Sequence, residues 1–254
     1  SHADLAIWFT QQAMLSAERR QPQLKGRGMV ILPGIDQPFP SGLPPYKAGP
    51  KMVLGHFGSL SSTRTLVRFI DAIEKWIERV PEVASQVELH VTGGPLDAVT
   101  QARLDGSPVR SIFRHLGRIE ADPISGLSGR ACILQKMRST DVLLLVHGEE
   151  PICEEYIPSK LYEYLWMQRP ILAQVHCNDQ MKKMLIDLGH VAIETDRASD
   201  DQVREGLVLG LQRVYLKWHS SVGLEDNGLD SPYTTQNAVE QIFQRLRRVG
   251  AVTA

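Results

Sequence analysis

Between residues 51 and 218, short apolar runs alternate with helical segments, and this alternation restricts the fold more than any other feature of the chain. Each run is continuous in hydrophobic residues, as in strands that are covered on both faces. We predict strands at residues 51–56, 87–91, 109–113, 141–146, 171–175 and 191–194. We predict helices at residues 65–79, 131–138, 179–188 and 200–218, with shorter ones that end near residue 104 and begin near residue 158. Strands that alternate with helices form a parallel sheet, so the predicted fold class is α/β, a Rossmann-like domain over residues 51–218 with helices on both faces.

The sequence outside this domain divides into three parts. Residues 33–50 contain six prolines and three glycines, which predicts an extended linker and a domain boundary. Residues 1–32 precede the linker and have the pattern of a helix at residues 3–20 and a strand at residues 28–32. Residues 219–254 begin with a polar segment and end in an amphipathic helix predicted at residues 234–248. Because the chain begins within a helical pattern, with Ser1-His2 as a suspected cloning remnant, we expect a fragment of a longer protein.

The composition narrows the range of partners. The net charge is −1, from 28 lysines and arginines against 29 aspartates and glutamates, so the overall charge favours neither nucleic acid nor an anionic membrane. The three cysteines, Cys132, Cys153 and Cys177, include no CxxC spacing and suggest neither a disulfide framework nor a zinc site. No apolar run is long enough to span a bilayer. We therefore expect a cytoplasmic protein that binds no nucleic acid and has no transmembrane segment.

The segment at residues 155–164, EYIPSKLYEY, follows one predicted strand and starts a helix. Pro158 favours the first helical turn, and Ser159 can cap it. A helix start at this place offers backbone N–H groups and a positive dipole end to a phosphate, and Lys160 adds a cation. Glu163 lies one turn further on the same face, where its carboxylate can accept the two hydroxyl hydrogens of a ribose. The alternative is a solvent-exposed ion pair between Lys160 and Glu163.

A second candidate feature follows the first predicted strand of the sheet, where residues 55–64 read GHFGSLSSTR. Gly58 and small neighbours such as Ser59 let the backbone approach a ligand and turn its N–H groups toward an anion. Arg64 can hold a diphosphate through its planar set of donors. The alternative is an ordinary turn, because the loop matches neither G-x-G-x-x-G nor G-x-x-x-x-G-K-[ST]. His56, at the end of this strand, is placed either to contact the ligand or to serve a structural role, and we favour the structural role.

The two features belong to one predicted site. Both follow parallel strands, and open α/β sheets bind ligands at the carboxyl ends of their strands. One feature supplies Arg64 and glycine backbone, and the other supplies Lys160 and Glu163, which together predict a site for a nucleotide diphosphate. The chain contains no H-E-x-x-H motif, no G-x-S-x-G motif and no D-x-D motif in a convincing context. We therefore expect neither a catalytic metal nor another cofactor.

Several motifs occur in the order that is found in one enzyme family. They are GSL with Arg at 58–64, VELHVTGG at 87–94, HLGRI at 115–119, MRSTDVLLL at 137–145, PSKLYEY at 158–164 and RPILA at 169–173. Over residues 51–218 the chain resembles the C-terminal, donor-binding domain of retaining GT-B glycosyltransferases of group 1. Residues 1–50 resemble the end of the N-terminal domain of that family and the start of its interdomain linker. The final helix resembles the one that crosses back to the N-terminal domain.

The resemblance implies roles for single residues. The paired glutamates of the family, E-x7-E, are matched by Glu155 and Glu163. By resemblance Glu163 binds the ribose hydroxyls, Glu155 faces the donor sugar, and Ile119 lies near the base. The diphosphate is held by Gly58, Ser59, Arg64, Ser159 and Lys160. The catalytic residues implied are Glu155, Arg64 and Lys160, since positive side chains and a helix dipole can stabilise a leaving diphosphate without a metal.

The resemblance also implies a reaction and its partners. The donor is a UDP- or GDP-linked sugar, and the acceptor is a glycan or a lipid-linked acceptor, as in polysaccharide biosynthesis. The acceptor binds to an N-terminal domain that the chain lacks. The parent protein is expected in the cytoplasm, either free or attached to the surface of a membrane. Two alternatives stay open. One is a non-catalytic nucleotide-sugar-binding module or subunit, and the other is a nucleotide-sugar epimerase, which needs acid and base residues across its cleft.

Overall fold

The computed structural model of the protein describes residues 5–39, 41–220 and 231–252. Parts of the predicted first helix, linker, polar segment and C-terminal segment, at residues 1–4, 40, 221–230 and 253–254, lie outside the described residues. The strands are β1 Ala6–Trp8, β2 Gly28–Val30, β3 Met52–Phe57, β4 Val87–Thr92, β5 Phe113–Gly117, β6 Val142–Val146, β7 Ile171–Val175 and β8 Val191–Glu194. The helices are α1 Gln11–Arg20, α2 Val67–Arg79, α3 Val83–Gln86, α4 Ala98–Asp105, α5 Gly129–Arg138, α6 Ser159–Trp166, α7 Asp179–Asp187, α8 Asp200–His219 and α9 Thr235–Val252.

Six of the strands form one sheet in the order β5-β4-β3-β6-β7-β8. Every neighbouring pair in this sheet is parallel. The chain moves outward from β3 in one direction and outward from β6 in the other, so the strand order reverses between β3 and β6. Helices cover both faces, which confirms the predicted Rossmann-like α/β class.

The hydrophobic core has one part on each face of the sheet, because successive strand residues point to opposite faces. On one face, α2 and α8 pack against the sheet through buried residues that include Phe69, Trp76 and Leu207. On the other face, the buried residues include Tyr164 of α6 and Met184 of α7. No helix among the described residues combines the length and the hydrophobicity that crossing a membrane requires.

The segment predicted to be a linker contains no helix or strand among its described residues. It packs against the domain through single contacts. The indole Nε1 of Trp166 donates to the Ile35 carbonyl at 2.9 Å, and the guanidinium of Arg169 lies 3.7 Å from the centre of the Tyr46 ring. A cation over an aromatic face is attracted by the ring electrons, so these contacts hold an irregular segment in place.

The helix predicted over residues 3–20 is wrong at its start. Strand β1 occupies Ala6–Trp8 and pairs in parallel with β2, and α1 begins only at Gln11. The Thr10 hydroxyl caps α1 by accepting a hydrogen bond from the Ala13 N–H at 3.1 Å. The apolar residues of this stretch are shared between a strand and a helix. Pairing with a distant strand decides the backbone conformation here, and local periodicity does not contain that information.

The strand predicted over residues 109–113 is also wrong. Residues Pro108–Ile112 form a 3₁₀ turn, and β5 begins at Phe113. Ser107 caps this turn by accepting a hydrogen bond from the Val109 N–H at 3.2 Å, and Pro108 suits its first position because it has no N–H to donate. Val109 and Ile112 are buried, so their hydrophobicity reflects the packing of the turn into the core.

Candidate functional site

The candidate site lies at the carboxyl end of the sheet, between β3 and β6. Connections that leave toward opposite sides of a parallel sheet open a crevice at the point where the strand order reverses. The loop of residues 58–64 follows β3, and residues 147–158 connect β6 to α6. The Glu149 N–H donates to the Thr63 carbonyl at 3.2 Å. The structure thus brings the segments that follow β3 and β6 to one edge of the sheet and into direct contact.

Glycine backbone forms the floor of the loop after β3. Gly58 has a φ of 135°, in the region that favours glycine, and its N–H donates to the Thr92 carbonyl at 2.9 Å. A Cβ atom on Gly93 would lie 2.2 Å from the Gly58 carbonyl oxygen, so the loops after β3 and β4 touch through their backbones. Ser59 is exposed. The loop therefore presents backbone and a small hydroxyl side chain at this edge.

Arg64 connects the loop after β3 with the segment after β6. It closes a tight turn in which residues 61 and 64 exchange two backbone hydrogen bonds of 3.0 and 3.1 Å. Its Nη2 donates to the Tyr156 hydroxyl at 3.1 Å. The Thr63 hydroxyl, next to Arg64, bonds to the Glu150 carboxylate. Tyr156 was not among the predicted site residues, although it lies inside the conspicuous segment at 155–164, and it fixes the direction of the Arg64 guanidinium.

Helix α6 begins at Ser159, with Pro158 as its N-cap and no side chain hydrogen-bonded to the cap. The predicted capping by Ser159 is wrong, because Ser159 is the first helical residue and its side chain is exposed. The Leu161 N–H donates to the Pro158 carbonyl at 2.9 Å. Among the residues that the structure describes, no side-chain oxygen caps the first turn, so its backbone donors can serve an anion.

Glu163 lies between two cations. The Nζ of Lys160 is 2.7 Å from its Oε2, and the Nη1 of Arg130 is 2.6 Å from its Oε1. The ion pair that we considered as the alternative interpretation is therefore present. It does not exclude a ribose, because each carboxylate oxygen has a second lone pair that can accept a hydroxyl hydrogen. Sequence reasoning missed Arg130, since no spacing in the chain links the start of α5 to α6.

Glu155 is tied to the N-terminal part of the chain. Its carboxylate lies 3.7 Å from Nη1 of Arg20, and its backbone carbonyl accepts a hydrogen bond from the Thr10 hydroxyl at 2.5 Å. These contacts join Glu155 to α1, and its role beside a donor sugar stays a prediction. Ile119 is half-buried and follows β5. Its carbonyl oxygen would be 3.0 Å from a Cβ on Gly129, so this loop packs on the start of α5, and contact of Ile119 with a base also stays a prediction.

His56 lies in β3 beneath the Gly58 loop. Its ring is buried, and Nδ1 is 3.3 Å from the Leu144 carbonyl oxygen. Burial lowers the pKa of His56 to about 4, and the positive charges of Lys160 and Arg64 act in the same direction, against the hydrogen bond to Leu144. The ring is therefore neutral at neutral pH. The positive charges of Arg64 and Lys160 therefore both lie near enough to this ring to act on it.

Comparison with known proteins places the fold. No protein-family model and no curated protein matches the chain by sequence. The solved structure of the pneumococcal O-GlcNAc transferase GtfA with UDP and GlcNAc superposes with a TM-score of 0.61 and 13% identity, over 97% of this chain and 45% of that one. WaaG, a glycosyltransferase involved in lipopolysaccharide biosynthesis, gives 0.59 and 16%, over 89% of this chain and 59% of that one.

A trehalose-6-phosphate synthase that was studied for glycosyltransfer with retention is a third similar structure. Its TM-score is 0.57 and its identity 12%, over 96% of this chain and 61% of that one. The chain thus spans about half the length of these structures. Sequence identities this low indicate a shared architecture but do not indicate a shared substrate. The sheet order, the helices on both faces and these superpositions together show that the chain has a partial GT-B fold.

Proposed function

We propose that the chain is the nucleotide-sugar-binding part of a retaining glycosyltransferase. The observation that carries this proposal is the position of Arg64 and Lys160 at the carboxyl end of the sheet, where Arg64 donates to Tyr156, four residues before Lys160, and Lys160 pairs with Glu163. Two cations suit a diphosphate, and a carboxylate suits the hydroxyls of a ribose. The three similar structures support sugar transfer, and GtfA in complex with UDP makes UDP the proposed nucleotide.

The proposed chemistry is electrostatic. When a sugar leaves its donor, negative charge grows on the departing diphosphate, and groups that are already oriented toward it lower the barrier. Arg64 and Lys160 supply positive charge, and the Gly58 loop and the start of α6 supply backbone donors. Glu155 is proposed to face the donor sugar. The proposed site uses no metal for this step.

Transfer to an acceptor is proposed to need protein outside this chain, because the chain spans about half the length of the similar structures. The chain by itself then binds the donor without transferring its sugar. Sugar transfer to an added glycan by this chain alone would contradict that part of the proposal. Epimerisation is not favoured, since none of the three similar structures is named as an epimerase, and product analysis of a donor incubation would separate the two reactions.

The donor class can be identified by thermal unfolding. A ligand that binds the folded state raises the unfolding temperature by mass action, so we expect UDP and UDP-sugars to raise it more than GDP-, ADP- or dTDP-sugars. The same shift with every nucleotide would contradict recognition of the base. No shift with any of them, together with no heat of binding by calorimetry, would contradict the proposed donor site itself.

Glu163→Ala tests the contact with the ribose. Hydrogen bonds to a charged group contribute about 1.5–3 kcal/mol, and about 1.4 kcal/mol corresponds to a factor of ten. We therefore expect the wild-type chain to bind UDP about tenfold more tightly than 2′-deoxy-UDP in calorimetry. The variant should bind the two nucleotides equally well. If the variant binds both nucleotides more weakly but still prefers UDP to 2′-deoxy-UDP about tenfold, Glu163 does not contact the ribose.

A further inference from the structure

Three side chains with metal-ligating atoms meet where β7 and β8 end. His176 and Cys177 follow β7, and Asp196 follows β8, its neighbour in the sheet. One ring nitrogen of His176, the Cys177 sulfur and one Asp196 carboxylate oxygen all lie within 4.8 Å of one another. Across residues 5–39, 41–220 and 231–252, this is the one group of three such side chains. None of the three belongs to the proposed donor site.

A hydrogen bond orients the His176 ring. The Thr195 hydroxyl lies 3.4 Å from the Val175 carbonyl oxygen, to which it donates. The Nδ1 of His176 is 3.0 Å from the same hydroxyl oxygen, which can accept from a ring that carries its proton on Nδ1. With the proton on Nδ1, the lone pair of the ring is on Nε2. A hydroxyl or carbonyl oxygen behind a ligating imidazole orients the ring in the same way in known metal sites.

The backbone holds the Cys177 thiol beside the Asp196 carboxylate. Cys177 has a φ of 48°, a left-handed conformation that is uncommon for a residue with a side chain. Its N–H donates to Oδ1 of Asp196 at 3.0 Å.

The surroundings of the three ligands are negative. Three carboxylates lie nearby in addition to Asp196. Glu154 acts on the Cys177 thiol, and Asp179 and Glu194 both pair with Arg197. Two cations offset part of this charge. Arg197 also pairs with Asp196, and Lys182 pairs with Glu194. Within the described part of the chain, these four carboxylates and two cations leave two negative charges, which favours a dication. A cleft of about 390 Å³ adjoins Cys177 and Asp196 and leaves room for a water ligand.

We propose that His176, Cys177 and Asp196 bind a thiophilic divalent cation, with Zn²⁺ as the natural occupant. An imidazole nitrogen, a thiolate and a carboxylate are the donors that Zn²⁺ takes in a four-coordinate site, with water as the fourth ligand. Binding replaces the thiol proton by a sulfur–metal bond, and the proton passes to solvent. The next residue, Asn178, donates to the Tyr156 carbonyl at 3.0 Å, so the bound cation would also steady the segment that carries Glu155 and Tyr156.

Cobalt substitution tests the site in the whole chain. We expect Co²⁺, added under a phosphine reductant, to give a sulfur-to-metal charge-transfer band that saturates at one equivalent and is displaced by Zn²⁺. Cys177→Ser should remove the band. Cys132→Ser is the matched control, since Cys132 is a free, half-buried thiol on α5, and it should leave the band unchanged. No band in the wild-type chain, or a band of full intensity in Cys177→Ser, would overturn the proposal.

A second variant keeps the test decisive if the serine variant does not fold. Asp196→Asn retains an oxygen that can accept from the Cys177 N–H but loses the charge. We expect it to bind Zn²⁺ at least tenfold more weakly in a competition assay and to lose the rise in unfolding temperature that Zn²⁺ produces in the wild-type chain. Wild-type affinity in this variant would remove Asp196 from the site and contradict the proposed ligand set. These readouts do not involve a nucleotide, so they stand or fall separately from the donor site.

Discussion

Replacement of Arg64 by alanine should weaken binding of UDP by about ten- to a hundredfold. The guanidinium is held at the crevice by the Tyr156 hydroxyl and acts on the same buried ring as Lys160. A charged hydrogen bond to the diphosphate is worth about 1.5–3 kcal/mol, which gives this range of affinity. Calorimetric titration of UDP into the wild-type and Arg64→Ala chains measures the effect. The variant should bind uridine, which has no phosphate, as weakly as the wild-type chain does.

Two further variants make this result specific. Arg79→Ala removes an arginine from the far end of α2, where it pairs with exposed Glu205, and it should leave UDP affinity within twofold of wild type. Arg64→Lys keeps the charge but loses the planar set of donors, so its affinity should fall between those of the wild type and Arg64→Ala. If Arg64→Ala and Arg79→Ala bind UDP alike, the crevice is not the diphosphate site.

The second large effect that we expect is a loss of stability in acid that depends on His56. The pKa of this ring falls from 6.5 in the unfolded chain to about 4 in the folded one. Between these two values the unfolded state binds more protons, so the free energy of unfolding decreases as the pH falls. One pKa unit corresponds to about 1.36 kcal/mol. The contribution of His56 is therefore fully present above the unfolded pKa, and about 3 kcal/mol of it is lost by about pH 4.

Urea unfolding of the wild-type and His56→Gln chains at several pH values measures this contribution. The glutamine variant has no titrating ring at this place, so its free energy of unfolding should fall about 3 kcal/mol less between pH 7 and pH 4. His190, whose pKa burial also lowers to about 4, remains in both chains and cancels in the comparison. His115→Gln removes an exposed histidine and should follow the wild-type curve. Parallel curves for wild type and His56→Gln would mean that His56 is not a buried neutral ring.

The alternation of strands and helices was enough to predict the main sheet, because buried parallel strands have a continuous apolar pattern that exposed segments lack. Strand β1 could not be predicted in this way, since residues 6–8 adopt strand geometry only by pairing with residues 28–30. Strand β5 begins later than predicted for a related reason. Val109 and Ile112 are apolar because a turn is buried there, and hydrophobicity alone does not separate a buried turn from a buried strand.

The candidate site was partly visible in the sequence for a different reason. Gly58, Arg64, Lys160 and Glu163 occur in short motifs, and the chain order placed both motifs after strands. Arg130 and Tyr156 belong to the same network through tertiary contacts, which no spacing rule contains. His176, Cys177 and Asp196 were not recognised as a cluster for the same reason. The adjacent His and Cys carry no motif, and their acidic neighbour is contributed by another strand.

The Tyr164 hydroxyl has a consequence for how the crevice opens. Pairing between β3 and β6 ends at His56 and Leu144, and just beyond it the Phe57 N–H donates to the Tyr164 hydroxyl at 3.1 Å, which in turn lies 3.4 Å from the Leu144 carbonyl. The Tyr164 hydroxyl of α6 thus replaces the next backbone hydrogen bond between β3 and β6. A tilt of α6 away from the sheet would break this hydrogen bond and expose the Phe57 amide hydrogen to exchange with solvent. Deuterium uptake at this single amide would report whether the helix that carries Lys160 and Glu163 moves as one body with the strands or independently of them.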